Sequence, residues 1–217
     1  FAYDLTPHLN PAGQENVLAV QVKNEGKNSR WYSGSGIYRN VMLIKTNPIH
    51  IDLWGIVVKT PQVSAEKASV AVDVTLVNAS DENKNFTYKI DFTDPEGKPV
   101  PGLTDEKSLE AGKTSVFTQE FGLSDYKLWS IENPGLYKIT VQLLDGSKIL
   151  DEVSENFGIR TTEFSAEKGF LLNGESVELK GGCLHHDNGP LGSAAFETAE
   201  YRRVKTMKEN GFNAIRT

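Results

Sequence analysis

The sequence predicts a mainly β fold. An immunoglobulin-like β-sandwich is expected over residues 48–162, preceded at 1–47 by the last strands of another sandwich. At 163–217 it is followed by the opening β/α elements of a TIM barrel. Three observations carry this. Short alternating strand patterns separated by turn signals fill the middle of the chain. The first segment holds too few strand patterns for a sheet of its own. The last segment changes to strand, polar tip, helix, strand, polar tip, as at the start of a (β/α) barrel.

Residues 1–47 contain Glu15-Asn16-Val17-Leu18-Ala19-Val20-Gln21-Val22, an alternating strand pattern. A Gly/Ser loop between aromatics, Arg30 to Arg39, then leads into Val41-Met42-Leu43-Ile44.

From residue 48 the strand signals come at regular intervals. Ile51 to Lys59 is one strand. In the next, Val70, Val72, Val74 and Leu76 alternate with Ala71, Asp73 and Thr75, the period-2 mark of a half-buried strand. Phe86 to Thr93 is closed by the turn Asp94-Pro95-Glu96-Gly97, where Pro fixes φ and Gly permits φ > 0. Ser115–Phe121, Leu136–Leu143 and Ile149–Gly158 complete the set, the last two joined by an Asp145-Gly146 hairpin signal. About seven short strands in roughly 110 residues suit an immunoglobulin-like sandwich without its Cys pair. Trp54, Trp129 and Tyr137 are expected in its core.

In the last segment, Phe170 to Leu179 reads as a hairpin around Asn173-Gly174. Gly181-Gly182-Cys183-Leu184-His185-His186-Asp187 places polar groups after an apolar strand. Tyr201, Val204 and Met207 recur at helical spacing, with Gly211 at the stop. Asn213-Ala214-Ile215-Arg216-Thr217 ends another apolar strand on a cation. A barrel needs about 250 residues, so the chain is expected to be part of a larger enzyme.

Composition narrows the function. Hydrophobic content of 38% and charged content of 24% are those of a folded globular chain. A net charge of -6 without a Lys/Arg stripe argues against nucleic acid. No apolar run reaches the ~18 residues of a membrane span. The single cysteine, Cys183, excludes an intrachain disulfide and is expected to be a buried thiol. Four His and one Cys without ligand spacing give no zinc site, and no Gly-rich phosphate loop occurs.

Five stretches together resemble glycoside hydrolase family 2, the β-galactosidase, β-glucuronidase and β-mannosidase group. They are Glu15–Val20, Arg30–Arg39, Trp129 to Tyr137, Phe157-Gly158-Ile159-Arg160, and Gly169–Thr217. The Asn213–Thr217 run is the most specific, and Gly189-Pro190-Leu191-Gly192 looks most like the β-galactosidase-type members. The resemblance implies a jelly-roll sugar-binding domain for 1–47, then the sandwich, then the barrel. It also implies a retaining exo-β-glycosidase, most of all a β-galactosidase, acting on terminal β-linked sugars through two Glu about 5–5.5 Å apart. Both Glu belong to later barrel strands in the family, and none of the 29 acidic residues here matches either. The chain alone is therefore expected to be inactive.

The resemblance assigns substrate contacts to His185, at the end of the first barrel strand, and to Arg216, at the end of the second. A neutral imidazole both donates and accepts, which suits sugar hydroxyls. The guanidinium fork suits a carboxylate and would hold the nucleophilic Glu ionised. Asp187 is a third candidate, although Asp187-Asn188-Gly189 is also plain turn chemistry. His186 is given no role. Arg30, Trp31 and Tyr32 lie in a loop that approaches the active site in the family, but aromatics there also suit a core. No cofactor is expected on this chain, although some family members use Mg²⁺ near the acid/base Glu. The expected partner is a carbohydrate substrate, and segment 163–217 leaves homo-oligomerisation or domain exchange open. Localisation stays open, with an extracytoplasmic bacterial setting favoured. The alternative is a non-catalytic carbohydrate-binding or structural sandwich module.

Overall fold

The structure is a computed structural model that describes residues 1–26 and 35–217. Arg30, Trp31 and Tyr32 lie outside the described residues. The chain forms two compact units, one of residues 1–41 with 185–203, the other of 42–184 with 204–217.

The larger unit is built on seven strands: β1 (Ile49–Val63), β2 (Ala68–Asn78), β3 (Lys84–Thr93), β4 (Pro99–Leu109), β5 (Thr114–Leu123), β6 (Tyr137–Asp145) and β7 (Lys148–Phe157). They make two antiparallel sheets, ordered β1-β2-β5 and β4-β3-β6-β7. This is the expected immunoglobulin-like sandwich, with its fourth strand on the sheet of the third, sixth and seventh. The period-2 pattern of β2 is realised in full, since Val70, Val72, Val74 and Leu76 are all completely buried. They face Tyr88, Ile90, Ile139 and Val141 of the other sheet in one core. Each such aliphatic side chain contributes about 1.5–3 kcal/mol by leaving water. Phe92 of β3 meets Phe121 of β5 edge to face at 4.7 Å, an inter-sheet pair.

The turns follow their residue chemistry. The Asp94 carboxylate accepts from the backbone N–H of Glu96 at 2.9 Å and of Lys98 at 2.8 Å, while Gly97 takes φ 80°. Between β6 and β7, Gly146 takes φ 59° and Asp145 pairs with Lys148.

Four expectations are corrected. Strand β4 was not read from the sequence, because Pro99, Pro101, Asp105, Glu106 and Lys107 mask it. It is an edge strand, where proline and charge are tolerated and suppress pairing with other chains. Trp54 is 74% exposed, not core. Between the pairs Ile51–Leu76 and Ile56–Val74, residues 52–55 of β1 bulge opposite Thr75, and Trp54 sits there at φ 57°. Trp129 is half-buried at the sandwich end, whereas Tyr137 is buried as expected. The patterns at 15–22 and 41–44 form no strand and leave their apolar side chains exposed. Strands require a neighbour to satisfy their ladder, and no strand of the described residues pairs with them.

Beyond the sandwich, β8 (Thr162–Ser165), β9 (Gly169–Leu172) and β10 (Glu175–Ser176) form a small antiparallel sheet. The expected hairpin turn is present, with Asn173 at φ 53° and Gly174 at φ 82°. The chain then runs through β11 (Gly181–Cys183), helix α1 (Glu197–Glu209) and β12 (Ala214–Arg216).

Candidate functional site

Strands β11 and β12 pair in parallel, with Gly181 opposite Ala214, Gly182 opposite Ile215 and Cys183 opposite Arg216. A parallel pair joined by a helix is the β/α unit expected from the sequence. Gly181 is required by close packing. A Cβ on Gly181 would lie 2.6 Å from the Ala214 carbonyl oxygen. One on Gly182 would make ordinary van der Waals contact, 3.9 Å from both Met207 and Phe212, the residues that flank the helix stop. There Gly211 takes φ 84°, and Phe212 N–H donates to the Met207 carbonyl at 3.1 Å.

Asn213 fixes the start of β12. Its Oδ1 accepts from Lys180 N–H at 2.8 Å and its Nδ2 donates to the Glu178 carbonyl at 2.9 Å. Arg216 follows at the strand's C-terminal end, exposed, with its carbonyl accepting from Leu184 N–H at 2.9 Å. Cys183 is exposed rather than buried. In a two-stranded sheet one face of its strand is left uncovered. Tyr201 and Val204 of α1 are likewise exposed.

The other candidates lie in the smaller unit, in the loop 185–192. His185 is exposed, and its carbonyl accepts from Asp187 N–H at 2.8 Å and from Arg203 Nη2 at 3.1 Å. Asp187 Oδ1 accepts from Gly189 N–H at 3.0 Å, so that oxygen serves the turn. The ring of His186 lies 6.0 Å from that of Tyr38. This structure thus joins His185 and Asp187 in one loop, whereas Arg216 stands in the other unit.

The loop is held by residues that sequence reasoning missed. Asn188 Nδ2 donates to Glu200 Oε1 at 3.0 Å and to the Ala194 carbonyl at 3.1 Å. Arg203 Nη1 donates to Asn188 Oδ1 at 2.6 Å and to Glu200 at 3.3 Å. The Glu200–Arg203 spacing of i,i+3 was the available signal. The cluster fixes the backbone that presents the His185 and Asp187 side chains.

Residues 49–160 match the model for glycosyl hydrolases family 2. The chain belongs to glycosyl hydrolase family 2. Over all of its 217 residues it is 44% identical to β-galactosidase BoGH2A of Bacteroides ovatus, of which it covers 25%. It is 30% identical to a β-glucuronidase of Formosa agariphila, covering 24% of that protein. A solved family 2 structure from Bacteroides cellulosilyticus matches 89% of the chain with TM-score 0.83 and 43% identity, the match spanning 27% of that chain. The chain therefore spans about a quarter of the length of these family 2 relatives.

Proposed function

We propose that this chain is part of a retaining exo-β-glycosidase, a β-galactosidase, and supplies one wall of its sugar pocket without either bond-breaking group. The observation that carries the reading is the 44% identity to a β-galactosidase along the whole chain. The parallel β11–β12 pair, with Arg216 at its C-terminal end, supports it.

In this reading residues 1–47 close a jelly-roll sugar-binding domain, 48–162 space and brace the barrel, and 163–217 begin it. His185 and Asp187 bind hydroxyls of the terminal sugar. Arg216 holds the nucleophilic Glu ionised through its opposite charge and N–H donors. That Glu attacks the anomeric carbon while the second protonates the leaving oxygen. Water then releases the sugar from the covalent intermediate. Among the described residues no three His, Cys, Asp or Glu side chains gather to hold a metal ion.

The relatives divide between β-galactosidases and β-glucuronidases, so the decisive experiment compares the two substrates. The longer protein that contains this chain is expected to favour a β-galactoside over the matching β-glucuronide in kcat/KM. Arg216→Lys in that protein is expected to lower kcat by about 10²-fold or more, as for a lost transition-state interaction. Preference for the glucuronide overturns the substrate, and an unchanged kcat in R216K overturns the role of Arg216.

One observation favours a second reading, in which the sandwich itself binds carbohydrate: the Trp54 ring projects from β1 into solvent. Titration of the full chain and of Trp54→Ala with galacto-oligosaccharides separates the two. Heat that disappears in the variant supports sugar stacking on Trp54, and its absence in the parent ends this reading.

A further inference from the structure

We propose that Asn173-Gly174 is a deamidation site kept closed by the joint between the sandwich and hairpin β9–β10, and that its modification unlocks that joint. The sequence contains three Asn-Gly pairs, at 173–174, 188–189 and 210–211. At such a pair the glycine nitrogen meets no Cβ of its own residue as it approaches the Asn side chain. It attacks Cγ, a new N–C bond forms, and the side-chain nitrogen leaves as ammonia. Water then opens the cyclic imide at one of its two carbonyls, giving aspartate or isoaspartate. The net change is one water taken up and one ammonia released.

The three sites are held differently. Asn210 is exposed at the end of α1, and its Nδ2 donates to the Thr206 carbonyl of the helix's last turn, at 2.8 Å. Asn188 is half-buried and held at both amide atoms by Ala194, Glu200 and Arg203. Asn173 is also half-buried and doubly held, and its two partners lie outside its own hairpin. Its Nδ2 donates to the Trp129 carbonyl at 3.0 Å, and its Oδ1 accepts from Thr161 N–H at 3.0 Å. Asn173 N–H in turn donates to the Thr161 carbonyl at 2.9 Å. Turning Cγ toward the Gly174 nitrogen breaks the two side-chain bonds together.

The partners belong to a packed joint. Trp129 N–H donates to the Ile159 carbonyl at 2.8 Å, and the Arg160 guanidinium lies 5.1 Å from the centre of the Trp129 ring. A Cβ on Gly158 would come within 2.9 Å of Trp129, so the chain passes directly against that side chain. The reaction would damage this joint in two ways. Aspartate replaces the donor facing the Trp129 carbonyl with a negatively charged acceptor, leaving two acceptors opposed. Isoaspartate also adds a methylene to the backbone of a two-residue turn that pairs Leu172 with Glu175. The modification is therefore a one-way record that the hairpin has opened.

The test is incubation of the full 217-residue chain at mildly alkaline pH, folded and in urea, followed by peptide mass spectrometry that resolves the three sites. In urea all three should react at similar rates. In the folded chain Asn210 should react first, and Asn173 at least about tenfold more slowly than in urea, because reaction waits on local opening. Equal rates at Asn173 in the two conditions overturn the proposal. A second measurement uses Asn173→Asp, the product of the reaction. Trypsin is expected to cut after Arg160 and Lys168 several times faster in N173D than in the parent, and unchanged cleavage overturns the unlocking. Should N173D fail to fold, the comparison of folded and unfolded parent still decides.

Discussion

Asn78 and Leu109 belong to strands of different sheets, yet the Asn78 carboxamide donates to the Leu109 carbonyl at 3.0 Å in the buried interior. The same amide donates to the carbonyls of Glu82 at 2.8 Å and Glu110 at 3.1 Å, and Ser80 donates back to its oxygen. One fully buried side chain thus closes one end of the sandwich. Asn78→Ala removes the donors and leaves three carbonyls to seek other partners. We expect a loss of about 2–3 kcal/mol, measured by urea denaturation. Asn78→Asp should cost more, since it places a carboxylate among carbonyl oxygens.

Tyr88 behaves in the opposite sense. Its side chain is fully buried and its hydroxyl has no hydrogen-bond partner among the described residues. The same burial drives the phenol pKa far above its ordinary value. The hydroxyl therefore bears a desolvation cost that nothing offsets. Tyr88→Phe keeps the ring against Phe117 and is expected to be neutral or to raise stability by about 1 kcal/mol. A loss of similar size in the denaturation midpoint would show that the hydroxyl is satisfied.

Acid should loosen the sandwich before it reaches the core. The Lys98 backbone N–H, followed by Glu96, holds the Asp94 carboxyl below its ordinary range. A hydrogen bond from Lys59, then one from Thr118, does the same for Asp73. Groups depressed in the fold contribute stability above their unfolded pKa of about 3.9, and that contribution disappears as pH falls through the lower folded value. The denaturation midpoint is expected to hold from neutrality to about pH 5 and to decline below about pH 4. Asp94→Asn should flatten the decline, and an identical acid profile in D94N would contradict this assignment.

Trp54 occupies φ 57°, a conformation costing a non-glycine residue about 1–2 kcal/mol. With the ring mostly in solvent, little burial is lost on removing it. Trp54→Gly is expected to leave the stability of this chain unchanged or raised by up to about 1 kcal/mol in chemical denaturation. A loss above about 2 kcal/mol would mean the ring is packed after all.

How much of this could be read beforehand follows from where each signal resides. Val70 to Leu76 gave β2 and its buried face because one residue type per face is a local pattern. Asp94-Pro95-Glu96-Gly97 and Asn173-Gly174 gave their turns because φ restrictions are local too. β4 was hidden because an edge strand draws its pairing from β3 while its own composition argues against pairing. Trp54 was misplaced because a bulge shifts the phase of the strand, and no composition rule marks where the phase changes. In the candidate site, the β/α unit and the position of Arg216 were legible from apolar runs ending in polar tips. The bonds from Asn188 to Glu200 and to Arg203 were not, since they join a loop to a helix across intervening residues.

The most direct test of the central claim is turnover of a chromogenic β-galactoside by the purified 217-residue chain, free of contaminating hydrolase. No turnover is expected from this chain, and retaining hydrolysis from the longer protein that contains it. Sustained hydrolysis by the chain alone, abolished by a substitution within it, would show that the bond-breaking groups lie among these residues and would contradict the account.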